Sequence, residues 1–152
     1  MKITIYTDGS SIGNPGPGGY GVVLMFGQHR KELSEGFRLT TNNRMELLAV
    51  IVALEALTKT DIPVEIYTDS KYVCDAIEKK WVWGWLKKGF AGKKNPDLWL
   101  RFLRIHKTIE NVKFIWVKGH AGIPENERCD VLATTAARGE NLQIDAEYEA
   151  TQ

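Results

Sequence analysis

Cysteine is scarce. Cys74 and Cys129 are the only two in 152 residues, too few for a disulfide framework. Both fall in helix-like segments, so they read as buried free thiols of a reducing compartment, and a cytoplasmic location is expected. No set of Cys or His is spaced for zinc. No apolar run approaches the roughly 20 residues that span a bilayer. The chain enters a strand at once, with no basic-then-apolar leader, so neither a targeting signal nor membrane contact is expected. The glycine-rich stretch Gly13–Gly21 does not open a helix as Gly-x-Gly-x-x-Gly and does not close on Gly-Lys-Ser/Thr, which argues against a nucleotide cradle. A Gly-x-Ser-x-Gly elbow for a hydrolytic serine is also missing.

What is present begins with a phrase written twice. Ile5-Tyr6-Thr7-Asp8-Gly9-Ser10 and Ile66-Tyr67-Thr68-Asp69-Ser70 are each an apolar, β-branched and aromatic run that stops at an aspartate and a small hydroxyl residue. Such runs are strands ending in turns. Two strands of one α/β sheet would deliver Asp8 and Asp69 to the same edge, where α/β sheets bind ligands. Two anions meeting there call for a divalent cation.

The apolar share of 43% suffices for one domain with a proper core. Strands are expected over Lys2–Asp8, Val64–Thr68 and Val112–Val117, with a hairpin of Val22–Phe26 and Lys31–Phe37 around Gly27. Gly13–Gly21 reads as a rigid, irregular loop. Arg44–Leu57 is apolar almost all round, the mark of a buried helix. Further helices are expected at Lys71–Glu78, Asp97–Thr108 and from Pro124 to about Arg138. Strands alternating with helices give a parallel α/β core, and the hairpin makes the sheet mixed. Residues 1–138 form the domain, and 139–152 read as a loose acidic tail.

Charge is unevenly distributed. Between Lys79 and Lys118 there are 11 Lys or Arg and 2 acids, a surplus of +9, so the rest of this +1 chain carries −8. In Lys79-Lys80-Trp81-Val82-Trp83-Gly84-Trp85-Leu86-Lys87-Lys88-Gly89-Phe90, basic and aromatic residues interleave. Lysines track phosphates and aromatic rings stack on bases or sugars, so the segment suits nucleic acid. A solvated lysine face is the plain alternative.

Glu46 opens the buried helix. It completes a capping box with Asn43 as N-cap, or its carboxylate turns toward Asp8 and Asp69; the pattern allows both. Asp130 lies deeper in its helix than the first-turn acids Glu125 and Glu127, so the helix dipole accounts for it less well. His120, in Lys118-Gly119-His120-Ala121-Gly122, follows a third strand ending at the same edge and is placed for proton transfer. All-carboxylate ligation selects hard cations such as Mg²⁺ or Mn²⁺. Two such ions roughly 4 Å apart activate a water and stabilise a leaving oxygen in phosphodiester cleavage.

These motifs, taken in order, resemble type 1 ribonuclease H in its bacterial form. The likeness runs through Thr7-Asp8-Gly9-Ser10 with Gly13-Asn14-Pro15-Gly16 and Thr41-Asn42-Asn43-Arg44-Met45-Glu46-Leu47. It continues through Thr68-Asp69-Ser70, Val117-Lys118-Gly119-His120-Ala121-Gly122 and Glu125-Asn126-Glu127-Arg128-Cys129-Asp130. The resemblance implies a five-stranded mixed sheet flanked by helices. It implies cleavage of the RNA strand of an RNA–DNA hybrid, leaving 5′-phosphate and 3′-hydroxyl ends. Asp8, Glu46, Asp69 and Asp130 would hold two Mg²⁺ ions, with Mn²⁺ as a substitute, and His120 would assist. Asn14, Thr41, Asn42 and Asn126 would contact the hybrid, while Trp81, Lys87 and Lys88 would belong to a protrusion gripping the DNA strand. Two features depart from the family pattern: the short stretch Ala91–Pro96 after the protrusion, and Lys71 where a glutamine is often seen, which adds a charge beside the site. A monomer is expected. A non-catalytic hybrid-binding module would lack a carboxylate, and none is missing.

Overall fold

The computed structural model describes all 152 residues. The repeated phrase forms the two strands at the centre of the sheet. Ile3–Ser11 is β1; it is followed by β2 at Gly16–Phe26 and β3 at His29–Thr40. Helix α1 spans Asn42–Glu55, and β4, Val64–Thr68, carries the second copy of the phrase. Then come α2 at Lys71–Glu78, α3 at Trp81–Lys87, α4 at Pro96–His106, β5 at Val112–Trp116, α5 at Pro124–Ala137 and α6 at Ala146–Ala150. The five strands lie in the order β3-β2-β1-β4-β5. The β1–β4 and β4–β5 pairs are parallel, β2 runs antiparallel to β1, and β3 antiparallel to β2. This is the five-stranded mixed sheet expected from the sequence.

One face of the sheet takes α1. Met45, Leu47, Ala49, Val50 and Ile51 are wholly buried between the strands and α4, which contributes Trp99 and Phe102. Each of the larger aliphatic side chains adds about 1.5–3 kcal/mol by leaving water. The other face takes α5, which lies across β1, β2 and β3. No helix is long and apolar enough to cross a membrane.

Three expectations are corrected. The glycine-rich stretch is not a loop throughout, because from Gly16 onward it is β2. A side chain at Gly19 would reach within 2.6 Å of the Ala133 carbonyl, and one at Gly21 would overlap the Cys129 carbonyl. The glycines therefore let a helix lie close on a strand, a tertiary demand that resembles loop composition in the sequence. The first strand does not stop at Asp8, because β1 continues to Ser11 paired with β2; the basic-aromatic segment, for which no element was expected, holds α3. The acidic tail is docked: Gln143 pairs with the β3 backbone, accepting from the Arg38 N–H (2.9 Å) and donating to the Gly36 carbonyl (2.8 Å). Asp145 accepts from Arg44 and from the Thr40 hydroxyl, both at 2.7 Å, and Glu149 pairs with Arg38. Acids that look solvated in the sequence are thus partners for cations a hundred residues away.

Candidate active site

Parallel pairing of β1 with β4 places Tyr6 beside Tyr67 and Thr7 beside Thr68. The residues that follow, Asp8 and Asp69, are therefore set side by side: β4 stops at Thr68, while β1 runs on past Asp8 to Ser11, paired with β2. Glu46 joins them from α1. The cap of that helix is Thr41, whose hydroxyl accepts from the Arg44 N–H at 3.2 Å, so Asn43 is not the N-cap and the capping-box reading of Glu46 gives way. The Asn42 N–H is satisfied by the Asn14 side-chain oxygen at 3.1 Å. Freed from capping, the Glu46 carboxylate turns to the sheet edge. One oxygen each from Asp8, Glu46 and Asp69 lies within 4.8 Å of the other two.

Burial makes this cluster costly in the absence of a cation. Asp8 and Glu46 are buried, and Asp69 is half-buried. Desolvation first, and the Asp69 charge second, push the Asp8 carboxyl up to about 8. Glu46 is raised well above the ordinary carboxylate range by its burial and then by Asp8 and Asp69. One Glu46 carboxylate oxygen is buried with no hydrogen-bond partner, an expensive condition for a polar atom. A set of acceptor-only carboxylates with an unpartnered buried oxygen fits a hard divalent cation. Asp8, Glu46 and Asp69 are the residues that could hold it.

The other expected residues fall into place unevenly. Asp130, half-buried on α5, stays outside the cluster, although its negative charge contributes to the shift at Asp8. His120 is largely exposed in the loop after β5, with φ of 55° and its Nδ1 3.8 Å from the Glu127 carboxylate. That loop passes close to the cluster: a Cβ on Gly119 would lie 2.8 Å from an Asp69 carboxylate oxygen. Asn14, Thr41 and Asn42 gather at the start of α1. Asn14 and Thr41 border a cleft of about 530 Å³ whose lining also includes Asn43, Arg44, Lys94 and Asn95. Asn126 is buried, its side-chain oxygen unpartnered, so it is not displayed as a surface contact. Lys71, Trp81, Lys87 and Lys88 are exposed. Around α3 the lysines sit on indoles: Lys79 over Trp81 at 5.3 Å, Lys80 over Trp83 at 5.5 Å and Lys93 over Trp85 at 5.1 Å.

Sequence reasoning missed Gly9, against which α1 packs, and Arg44, which ties α1 to α4 through Asp97 and to the tail through Asp145. It also missed Trp116, whose indole N–H donates to the Asp69 main-chain carbonyl. The only local signals were an aspartate followed by glycine and a tryptophan at a strand end.

Residues 1–138 match the RNase H family model. The chain belongs to the RNase H family. A ribonuclease H from Desulforamulus reducens is 60% identical over 149 residues, spanning 95% of this chain and 92% of the relative. One from Rippkaea orientalis is 55% identical, spanning 97% and 93%. Among solved structures, LC9-RNase H1, a type 1 RNase H with the type 2 active-site motif, aligns with a TM-score of 0.81 at 32% identity, covering 99% of this chain and 81% of that one. LC11-RNase H1, solved in complex with an RNA/DNA hybrid, aligns with a TM-score of 0.67 at 31% identity, covering 90% and 96%. As a member of the RNase H family the chain is a nuclease.

Proposed function

We propose that this chain is an endoribonuclease that hydrolyses the RNA strand of RNA–DNA hybrids, leaving 5′-phosphate and 3′-hydroxyl ends. The observation that carries the reading is the Asp8–Glu46–Asp69 cluster with its unpartnered buried Glu46 oxygen, in a chain of this family. The LC11-RNase H1 complex with hybrid supports the substrate class. Asp8, Glu46 and Asp69 would hold divalent cations, with Asp130 as the outer carboxylate of the set. Mg²⁺ is the expected ion and Mn²⁺ a substitute. Bound there, a pair of such ions supplies an acidified water and charge neutralisation at the cleaved phosphodiester.

The chain's own residues do the rest. The two parallel strands fix Asp8 and Asp69 with little freedom, which limits reorganisation during reaction. His120, on an exposed loop against Asp69, takes or gives a proton as substrate and product exchange. Asn14, Thr41 and Asn42 offer polar groups to sugar hydroxyls, the feature by which a protein distinguishes RNA from DNA. Lys71, Trp81, Lys87 and Lys88 contact backbone phosphates and sugars. The set comes from one chain, consistent with action as a monomer, and the free thiols Cys74 and Cys129 suit the cytoplasm.

The test is cleavage in Mg²⁺ of labelled hybrid, duplex DNA and duplex RNA. Only the hybrid should be cut, and a run of 2′-deoxy sugars at the scissile position should resist. Asp8→Asn and Asp69→Asn should abolish cutting while hybrid binding stays within a few fold. Efficient cutting by Asp8→Asn, or cleavage indifferent to deoxy substitution, refutes the reading.

A further inference from the structure

Trp116 ends β5 as an indole 41% exposed to solvent, at the edge where the carboxylates cluster. It is not free to rotate. Its Nε1–H donates to the main-chain carbonyl of Asp69 at 3.0 Å, and the next residue continues the ladder, the Val117 N–H donating to the Thr68 carbonyl at 2.9 Å. The ring is thus braced across β4 at one of the three clustered carboxylates.

The Lys71 ammonium sits 4.8 Å from the centre of that ring. Asp69 is only two residues away, yet Lys71 makes no ion pair with it or with any other acid. An indole face attracts a cation without neutralising it. Lys71 therefore stays unpaired beside the cluster, its ammonium drawn toward the ring. A compact ammonium held in this way is suited to one ligand chemistry above others, a phosphate oxygen.

We propose that Trp116 is a positioning residue: it holds the Lys71 ammonium at the rim of the Asp8–Glu46–Asp69 cluster, where that cation pairs with an RNA-strand phosphate beside the cleaved linkage. This rests on the reading of that edge as the hybrid-cleaving site. It assigns a task to a tryptophan outside the carboxylate set and gives the unusual lysine a fixed address.

The experiment compares wild type with K71Q, K71R, W116F, W116L, K71Q/W116F and K71Q/W116L. Hybrid binding is followed by fluorescence anisotropy in chelator, where nothing is cut, over a series of salt concentrations. Steady-state cleavage in Mg²⁺ supplies kcat and KM. K71Q should reduce the steepness of log affinity against log salt by up to about one and raise KM several fold, and K71R should restore both. W116L should reproduce the KM rise with kcat within about twofold, and K71Q/W116L should be no worse than the singles, as coupled residues require. W116F, which keeps a ring but loses the N–H, should show a smaller K71Q effect than wild type does, a comparison that stands even where W116L fails to fold. Additive effects overturn the proposal. So does a W116L that lowers kcat and melting temperature while K71Q keeps its full effect, since the indole is then only structural. A wild type that cuts hybrid while K71Q binds and cuts identically overturns the proposal and leaves the functional reading standing. A wild type that cuts no hybrid overturns both.

Discussion

The backbone of Glu46 lies so close to Gly9 that a side chain on Gly9 would overlap the Glu46 nitrogen. This approach seats the first turn of α1 on β1, one residue beyond Asp8, and so decides where the Glu46 carboxylate lands. Gly9→Ala should displace that turn. Overpacking of this kind costs about 1–3 kcal/mol of stability, and cleavage should fall by more than the stability loss explains, because Glu46 moves with the helix. Gly84→Ala is the control: nothing lies within 4 Å of a Cβ at Gly84, and alanine favours a helix by up to about 1 kcal/mol. Thermal melts and kcat for both variants check the claim. Equal activity of Gly9→Ala and wild type would show that the contact does not place Glu46.

The raised Asp8 carboxyl makes apo stability depend on pH with a definite sign. Its folded value of about 8 stands far above the ordinary 3.8, through burial and then the Asp69 charge. Below the ordinary value both folded and unfolded chains hold the proton, and the group imposes no penalty. As pH rises from there toward about 8, the unfolded chain ionises first, so stability falls across that window and levels off above it. Asp8→Asn removes the ionisation. In chelator it should melt higher than wild type, by roughly 3 °C or more at pH 8, and the gap should close on acidification toward pH 4. Mg²⁺ should raise the wild-type melting temperature more than that of the variant, since a ligand of the folded state alone stabilises that state. A variant that melts lower than wild type in chelator at pH 8 would mark Asp8 as a structural aspartate.

The parts of the site that depend on local pattern were legible in the sequence, and those set by distant partners were not. Asp8 and Asp69 could be read because each follows the same strand pattern and parallel pairing sets the two side by side, even though β1 itself runs on to Ser11. Glu46 stayed ambiguous because a capping box and a carboxylate turned to the sheet share one spacing. The cap fell to Thr41, since Asn14 engages the Asn42 N–H from another loop. Gly19 and Gly21 looked like loop residues because composition cannot reveal that α5 would press on β2. The tail looked loose because its cations, Arg38 and Arg44, lie far away in sequence. Asp130 stood out only as an acid the helix dipole explains poorly, and Asn126 was placed by resemblance alone; the fold holds the first outside the three-carboxylate cluster and buries the second.

Arg44 connects that tail to the site. Its side chain, 5% exposed, donates to Asp145 at 2.7 and 2.9 Å and to Asp97 at 2.9 and 2.7 Å, two residues before Glu46. Asp145→Ala leaves half of a buried guanidinium unpaired. Hydrogen bonds to charged groups contribute about 1.5–3 kcal/mol, so stability should drop by about 2 kcal/mol and α6 should loosen. Denaturant unfolding gives the first number, and faster amide exchange at Gln143 and across α6 reports the second. A variant with unchanged stability and exchange would show that the tail's contacts carry no weight.

His120 combines a backbone demand with a chemical one. Its φ of 55° lies in the left-handed region, which asparagine and glycine enter more readily than alanine. A loss of activity in His120→Ala alone could therefore come from a displaced loop. His120→Asn keeps the conformation and removes the imidazole, so the two variants separate the causes. If proton transfer is the task, both should lose activity alike, by up to about 10²–10⁴-fold in kcat, and neither should become inert, since the Asp8–Glu46–Asp69 cluster is untouched. If loop shape is the task, His120→Asn should retain nearly full activity while His120→Ala does not. Loss in both variants as complete as that in Asp8→Asn would instead place His120 among the groups without which no cation is held. Single-turnover cleavage of a labelled hybrid, with product release measured separately, distinguishes the three outcomes.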